Sequence, residues 1–151
     1  MLVKELNMLY KILVDSLVAP KTIMYKVIKG LATLADEGEV YTKPFCAYLF
    51  ARNIPGADIE KCQEAAYKDP CWAYYFARDI PRANIEKCQE ATCKNPEFAY
   101  WFAKEVSGAN MGKCQEAACK DSFWAYEFAR CISKADVEKC RRVYKGTKYA
   151  F

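Results

Sequence analysis

The sequence predicts an all-α protein: an α-solenoid of four 26-residue helix-turn-helix repeats with an N-terminal two-helix cap. Three observations predict it. Cys62, Cys88, Cys114 and Cys140 are spaced 26 residues apart. Blocks beginning at Ala47, Ala73, Ala99 and Ala125, which read AYLFA, AYYFA, AYWFA and AYEFA, keep the same spacing. Asp and Asn recur at fixed offsets from these blocks, where helices begin. A period of about 20 to 50 residues marks units that cannot bury an apolar face alone and do so by stacking on their neighbours.

Residues 1–43 are expected to form the N-terminal helical cap. Leu2, Leu6, Leu9, Leu13 and Leu17 read as an amphipathic helix ending near Pro20. Ile23, Val27, Ile28, Leu31 and Leu34 read as a second helix from about Lys21 to Ala35. This segment stands outside the period, and a repeat stack needs a unit that covers its exposed end. A dimerisation or partner-binding element is the alternative use of the same pair.

Residues 44–151 hold the four repeats, at about 45–70, 71–96, 97–122 and 123–148, with a basic C-terminal end. Asp69-Pro70, Asn95-Pro96 and Asp121-Ser122 place a capping side chain before the first helix of a repeat, helix A. In the first two, proline follows at a position where its missing N–H costs nothing. Lys43-Pro44 is the weakest of these starts. Helix A runs about ten residues and ends at Ile54-Pro55-Gly56, Ile80-Pro81-Arg82, Val106-Ser107-Gly108 and Ile132-Ser133-Lys134. A second cap at Asp58, Asn84, Asn110 and Asp136 opens helix B. Ala47, Phe50, Ala51 and Ile54 and their repeats form the i, i+3, i+4, i+7 stripe of a buried face. Ile59, Cys62, Gln63 and Ala66 form the corresponding stripe of helix B, with Glu60, Lys61 and Glu64 on its solvated side. Helix B is thus expected as the outer wall and helix A as the inner one.

A chain of 151 residues, 53% hydrophobic and 15% aromatic, suits one packed domain and excludes disorder. The net charge of +4 is unevenly placed: Lys139, Arg141, Arg142, Lys145 and Lys148 stand without an acid in the last thirteen residues, whereas 44–138 carries fourteen acids against twelve bases. A nucleic-acid binder usually spreads positive charge along one face. The nine cysteines follow the repeat and are odd in number, unlike a secreted disulfide framework. Lys4, Glu5, Lys11 and Asp15 interrupt the apolar N-terminus too often for a signal peptide or membrane span. A cytoplasmic protein without membrane association is expected.

Catalysis has little support in the sequence. There is no histidine for a Ser-His or Cys-His arrangement and no glycine-rich phosphate loop. No CxxC pair suggests a structural metal site. No enzyme activity, metal or cofactor is therefore expected, and the periodic cysteines read as small core residues. One exposed reactive thiol among Cys46, Cys71, Cys93, Cys119 and Cys131 is the exception entertained.

The candidate partner-binding residues lie on the face of helix A opposite the core. One row holds Leu49, Tyr75, Trp101 and Glu127; a second holds Arg52, Arg78, Lys104 and Arg130. Near-identical copies differ at the first of these positions, as a surface does when each unit meets a different part of a ligand. Cys46, Trp72, Phe98 and Trp124 flank the rows, and the invariant Tyr48, Tyr74, Tyr100 and Tyr126 read as packing between repeats with a hydroxyl at the edge. Aromatic and arginine side chains dominate the energetics of protein interfaces. The expected function is a non-catalytic helical-repeat protein that binds a protein partner through the helix A surface. A nucleic-acid binder, with the basic row and C-terminal end on phosphates and Tyr75 and Trp101 stacking on bases, is the alternative.

The AYxFA block followed by IEKCQEA resembles the short two-helix repeats of the tetratricopeptide and HEAT-like class. The 26-residue length and the lack of a Trp-Leu-Gly-Tyr signature depart from the tetratricopeptide pattern. Over 44–145 the chain is also similar to AYxFA-type repeat proteins of bacteria and bacteriophages. That resemblance transfers no binding residue. For a bacteriophage source it implies a small inhibitor of a host defence complex.

Overall fold

The computed structural model describes residues 22–149. Among these residues the chain is all-helical, with ten α-helices, one 3₁₀ turn and no strand. It divides into two compact units, 1–65 and 66–151, each with its own packing. The expected helix over Leu2 to Leu17 lies outside the described residues.

The first unit contains α1 (Ile23–Ile28), the 3₁₀ turn (Leu34–Asp36), α2 (Glu37–Val40), α3 (Pro44–Asn53) and most of α4 (Ile59–Ala66). Thr22 caps α1 by accepting the Tyr25 amide at 3.3 Å. The helix expected to run to Ala35 stops after Ile28, because Gly30 adopts φ +69° and ends it. Leu31 and Leu34, read as part of its apolar stripe, are 60% and 51% exposed, whereas Ile23 and Val27 are buried. Asp36 organises the new turn, accepting the Thr33 amide at 2.9 Å and pairing with Lys26 at 2.5 Å.

The second unit repeats one arrangement three times: α5 (Pro70–Asp79) with α6 (Ile85–Thr92), α7 (Pro96–Glu105) with α8 (Met111–Ala118), and α9 (Ser122–Cys131) with α10 (Val137–Tyr144). Within each pair the first helix packs on the second. Each pair then meets the next, α5 on α7 and α7 on α9, while α6 packs on α7 and α8 on α9. This succession of helix pairs is an α-solenoid.

Local chemistry fixes both ends of these helices. Asp69, Asn95 and Asp121 each accept two amides at the start of helix A, at 2.9–3.3 Å. Asp58, Asn84, Asn110 and Asp136 each accept the amide three residues on, at 3.0–3.1 Å, to start helix B. Lys43 makes no capping bond, and Pro44 alone marks that start. Ile54, Ile80, Val106 and Ile132 leave the helix in extended conformation, their amides still donating to Phe50, Phe76, Phe102 and Phe128. A β-branched residue suits that backbone and turns its side chain back toward the core. Those four phenylalanines are fully buried, as are Ala47, Ala73, Ala99 and Ala125. Each buried ring contributes about 1.5–3 kcal/mol, and each alanine leaves room for a neighbouring backbone.

The polar member of the helix B stripe sets the register between repeats. Gln89 is buried; its Nε2 donates to the Asn110 carbonyl at 2.8 Å, and its Oε1 accepts the Asn110 amide at 3.0 Å. Gln115 does the same to Asp136, at 2.7 and 3.0 Å. Each glutamine thus holds the capping residue of the next helix B. In the first unit Glu37, which lies 26 residues before Gln63, accepts the Asp58 amide at 3.2 Å. Residues 22–43 therefore carry a degenerate form of the same contact. At the other end the equivalent position is Arg141, exposed and paired with Glu138 at 3.0 Å, where no further repeat follows in the described chain. Tyr144 and Tyr149 cover Tyr126 there, with ring centroids 5.6 and 5.9 Å away.

Candidate partner-binding surface

Within the second unit, α5, α7 and α9 carry Tyr75, Trp101 and Glu127 together with Arg78, Lys104 and Arg130 on their face away from the alanine and phenylalanine stripe. A common local device arranges them. The cation four residues after the invariant tyrosine reaches back one turn toward that hydroxyl and lies against the side chain between them, which is the neighbour relation of i and i+4 on a helix.

In α5 the Arg78 guanidinium sits 4.7 Å from the Tyr75 ring centroid and 5.4 Å from that of Tyr74. Its Nε and Nη2 donate to Asp79 at 2.7 and 2.9 Å, Nη1 donates to the Tyr74 hydroxyl at 3.3 Å, and Glu105 lies 3.6 Å away. The buried Tyr74 hydroxyl donates to the Glu105 carboxylate, so one network joins α5 to α7. Bonding to Asp79 raises the Arg78 pKa above its ordinary value despite burial, and burial, then the Glu105 bond, raises that of Tyr74. Tyr75 is raised chiefly by burial.

In α7 the Lys104 amine donates to the Tyr100 hydroxyl at 3.1 Å and lies 5.0 Å from the Trp101 centroid. That hydrogen bond raises its pKa. In α9, where a carboxylate replaces the ring, Arg130 turns to it and donates to both Glu127 oxygens at 2.9 Å. The Glu127 bond raises its pKa. Two cations of this face, Arg78 and Arg130, therefore meet three carboxylates, Asp79, Glu105 and Glu127, while Lys104 rests on the Tyr100 hydroxyl and the Trp101 ring.

Tyr75 and Trp101 remain half-buried, and their rings are flanked by cations. Phe98 and Trp124 do different work: Tyr74 packs on Phe98 at 6.1 Å and Tyr100 on Trp124 at 5.4 Å, across the junctions between repeats, whereas Trp72 packs on Tyr75 of its own helix at 5.5 Å. Tyr74 and Tyr100 are thus inter-repeat packing groups with a bonded hydroxyl. Leu49 and Arg52 belong to α3 of the first unit. Leu49 is half-buried, and the exposed Arg52 donates to the Tyr48 hydroxyl at 3.1 Å.

The basic C-terminal stretch is also partly engaged. Lys139 pairs with Glu116 at 3.3 Å and Arg141 with Glu138, while Lys148 lies 5.1 Å from the Tyr149 ring. The four periodic cysteines are fully buried. Among the described residues no group of three or more His, Cys, Asp or Glu could hold a metal ion, and no helix is long and apolar enough to cross a membrane.

Sequence reasoning missed the glutamine contacts and the carboxylates that meet Arg78 and Arg130. A signal for the first existed: a polar residue kept at a buried position in three copies and replaced by Arg141 in the last. Comparison of the chain with protein-family models, curated proteins and solved structures gives no match.

Proposed function

We propose that the chain is a non-catalytic helical-repeat protein that binds a protein partner through the helix A surface, with Tyr75 and Trp101 as anchors and Arg78, Lys104 and Arg130 around them. The observation that carries this reading is the pairing of half-buried rings with cations held in place, Arg78 by Asp79 and Glu105 and Lys104 by the Tyr100 hydroxyl. Rings held in place by neighbours lose little side-chain entropy on binding, and Tyr, Trp and Arg are the types that concentrate interface energy. Glu127 extends the candidate surface of the second unit with different chemistry, and Leu49 and Arg52 hold the corresponding positions on helix A of the first unit.

Nucleic acid ranks second because phosphate contacts draw their affinity from cations that release counterions. Arg78 and Arg130 already hold carboxylates at 2.7–2.9 Å, and exchanging these for phosphate leaves Asp79, Glu105 and Glu127 facing a polyanion. The finer reading, a cytoplasmic inhibitor of a host complex encoded by a bacteriophage, rests on the resemblance of the AYxFA repeats.

A photoreactive amino acid placed at Tyr75, compared with one at the exposed Lys87 on helix B, tests the surface. In extract of the host, cross-linking from position 75 should trap a discrete protein, position 87 should not, and Trp101→Ser should weaken the trapping. Tight, salt-sensitive retention of DNA or RNA, lost on changing Arg78, Lys104 and Arg130 to Gln, would reverse the ranking.

A further inference from the structure

The junctions between repeats carry chemistry that the binding surface does not use. The residue just after each helix B precedes the core cysteine of the next repeat by 21 positions: Tyr67 before Cys88, Cys93 before Cys114 and Cys119 before Cys140. The cysteine pairs meet in space. Cys119 Sγ lies 3.6 Å from Cys140 Sγ, and at the equivalent junction Cys93 Sγ lies 3.8 Å from the Lys113 carbonyl, beside Cys114 in the chain. Where the second unit begins with a tyrosine, its next two junctions therefore carry dithiols. The glutamines hold the inner member of each, since Gln89 Nε2 donates to Cys114 Sγ at 3.2 Å and Gln115 Nε2 to Cys140 Sγ at 3.1 Å.

We propose that Cys93–Cys114 and Cys119–Cys140 are thiol–disulfide redox sites, closed by a low-molecular-weight disulfide into covalent links between consecutive repeats. At 3.6 Å the Cys119 and Cys140 sulfurs are in van der Waals contact, and a disulfide would bring them to about 2.05 Å. Access divides the labour. Cys93 and Cys119 are half-buried and open to a reagent, whereas Cys114 and Cys140 are fully buried and reachable only from within. The outer thiol attacks and the inner one resolves.

Cys93 is the better nucleophile. The Cys114 hydrogen bond, with Gln89, Lys120 and Lys113 assisting, lowers its pKa below the ordinary thiol value against the effect of burial. A half-exposed thiol in an electropositive setting beside a second thiol is the arrangement of a redox-active cysteine. Cys119 is raised instead, chiefly by burial, and reacts second. The Cys93 thiolate attacks one sulfur of the small disulfide, whose S–S bond breaks and releases one small thiolate. Cys114 then loses its proton and attacks the Cys93 sulfur, and the second small thiolate leaves. The small disulfide gains two electrons and becomes two thiols; the protein loses two hydrogens and gains one S–S bond.

Oxidised glutathione applied to the native protein, followed by alkylation, non-reducing digestion and mass spectrometry, tests the assignment. The expected products are peptides joined through 93 and 114, appearing first, and through 119 and 140, each lighter by two hydrogens. The melting temperature should shift upward and return on reduction. Cys131, exposed with Glu127 3.8 Å away, should stop at the mixed disulfide. Cys93→Ser and Cys119→Ser should each abolish only their own link, with the helical circular dichroism retained. Recovery of Cys93 and Cys119 as free thiols while Cys131 is modified would overturn the proposal. So would glutathione remaining on Cys93 without a cross-link, or links that form only after denaturation.

Discussion

At the scale of single residues, Gln89 shows how one buried amide sets the relation between two repeats. It satisfies both backbone groups of Asn110 and directs its remaining N–H to Cys114. Gln89→Leu fills similar space but takes the Gln89 acceptor from the Asn110 amide, while the Asn110 carbonyl keeps the Cys114 amide at 3.1 Å; an unmade bond of this kind costs about 1–3 kcal/mol. Urea unfolding should show a loss of about 1–3 kcal/mol, and Gln115→Leu should behave alike. Arg141→Gln, at the equivalent but exposed position, should change stability by less than about 0.5 kcal/mol. The buried cysteines add a pH dependence. Burial raises Cys62, Cys88 and Cys140 from 9.0 to about 12 and Cys46 to about 11. Above pH 9.0 the unfolded chain therefore releases thiol protons that the folded chain retains. Stability from these groups is complete below pH 9.0 and falls as pH rises toward 12, the sign expected when the native state binds more protons. Thermal melts from pH 7 to 10 should show the decline beginning near pH 9, and Cys88→Ala should make it shallower.

At the scale of elements, agreement among independent signals separates what was legible from what was not. The repeat helices were legible because caps, prolines and extended β-branched ends all fell at the same offsets. Asp69→Ala removes two capping bonds and should cost about 1 kcal/mol. The segment before Pro44 misled because Leu31 and Leu34 continue the spacing of Ile23 and Val27, although Gly30 intervenes. A Cβ at Gly30 would meet nothing within 4 Å, so the cost of Gly30→Ala comes from φ +69° alone. About 1 kcal/mol is expected in denaturant unfolding. The contact of Glu37 with Asp58 was hidden because glutamate replaces glutamine among otherwise dissimilar residues, although either side chain can accept that amide. On the candidate surface, the offset of Arg52 placed the basic row on one helix face. It could not reveal that Tyr74 brings Glu105 to Arg78 from the next repeat. The dithiols were obscured in the same way, since their 21-residue spacing cuts across the 26-residue period.

At the scale of the whole molecule, the array is built so that one repeat can be removed while the cap, glutamine and ring contacts keep their chemistry. Deleting residues 96–121 joins Asn95 to Ser122, a cap to a helix start, as Asp121 precedes Ser122 in the intact chain. Gln89 then faces Asp136 in place of Asn110, whose backbone offers the same amide and carbonyl. Tyr74 meets Trp124 as Tyr100 does now, at 5.4 Å. The shortened chain should keep its helical circular dichroism and unfold cooperatively, with a lower melting temperature because one interface between neighbours is lost. Deleting only 96–108 removes α7 and leaves α8 without the helix on which it packs, together with Phe102, a fully buried ring. That protein should lose cooperative unfolding and expose its core. The contrast also separates folding from binding, because the larger deletion removes Trp101 and Lys104 while restoring the glutamine and ring contacts, with Cys131 in the place of Glu105 beside Tyr74. If those residues anchor a protein partner, the folded 96–121 deletion should cross-link from Tyr75 far less than the intact chain. Unchanged cross-linking by a folded deletion protein would place the anchor on other residues and return Trp101 to a packing role.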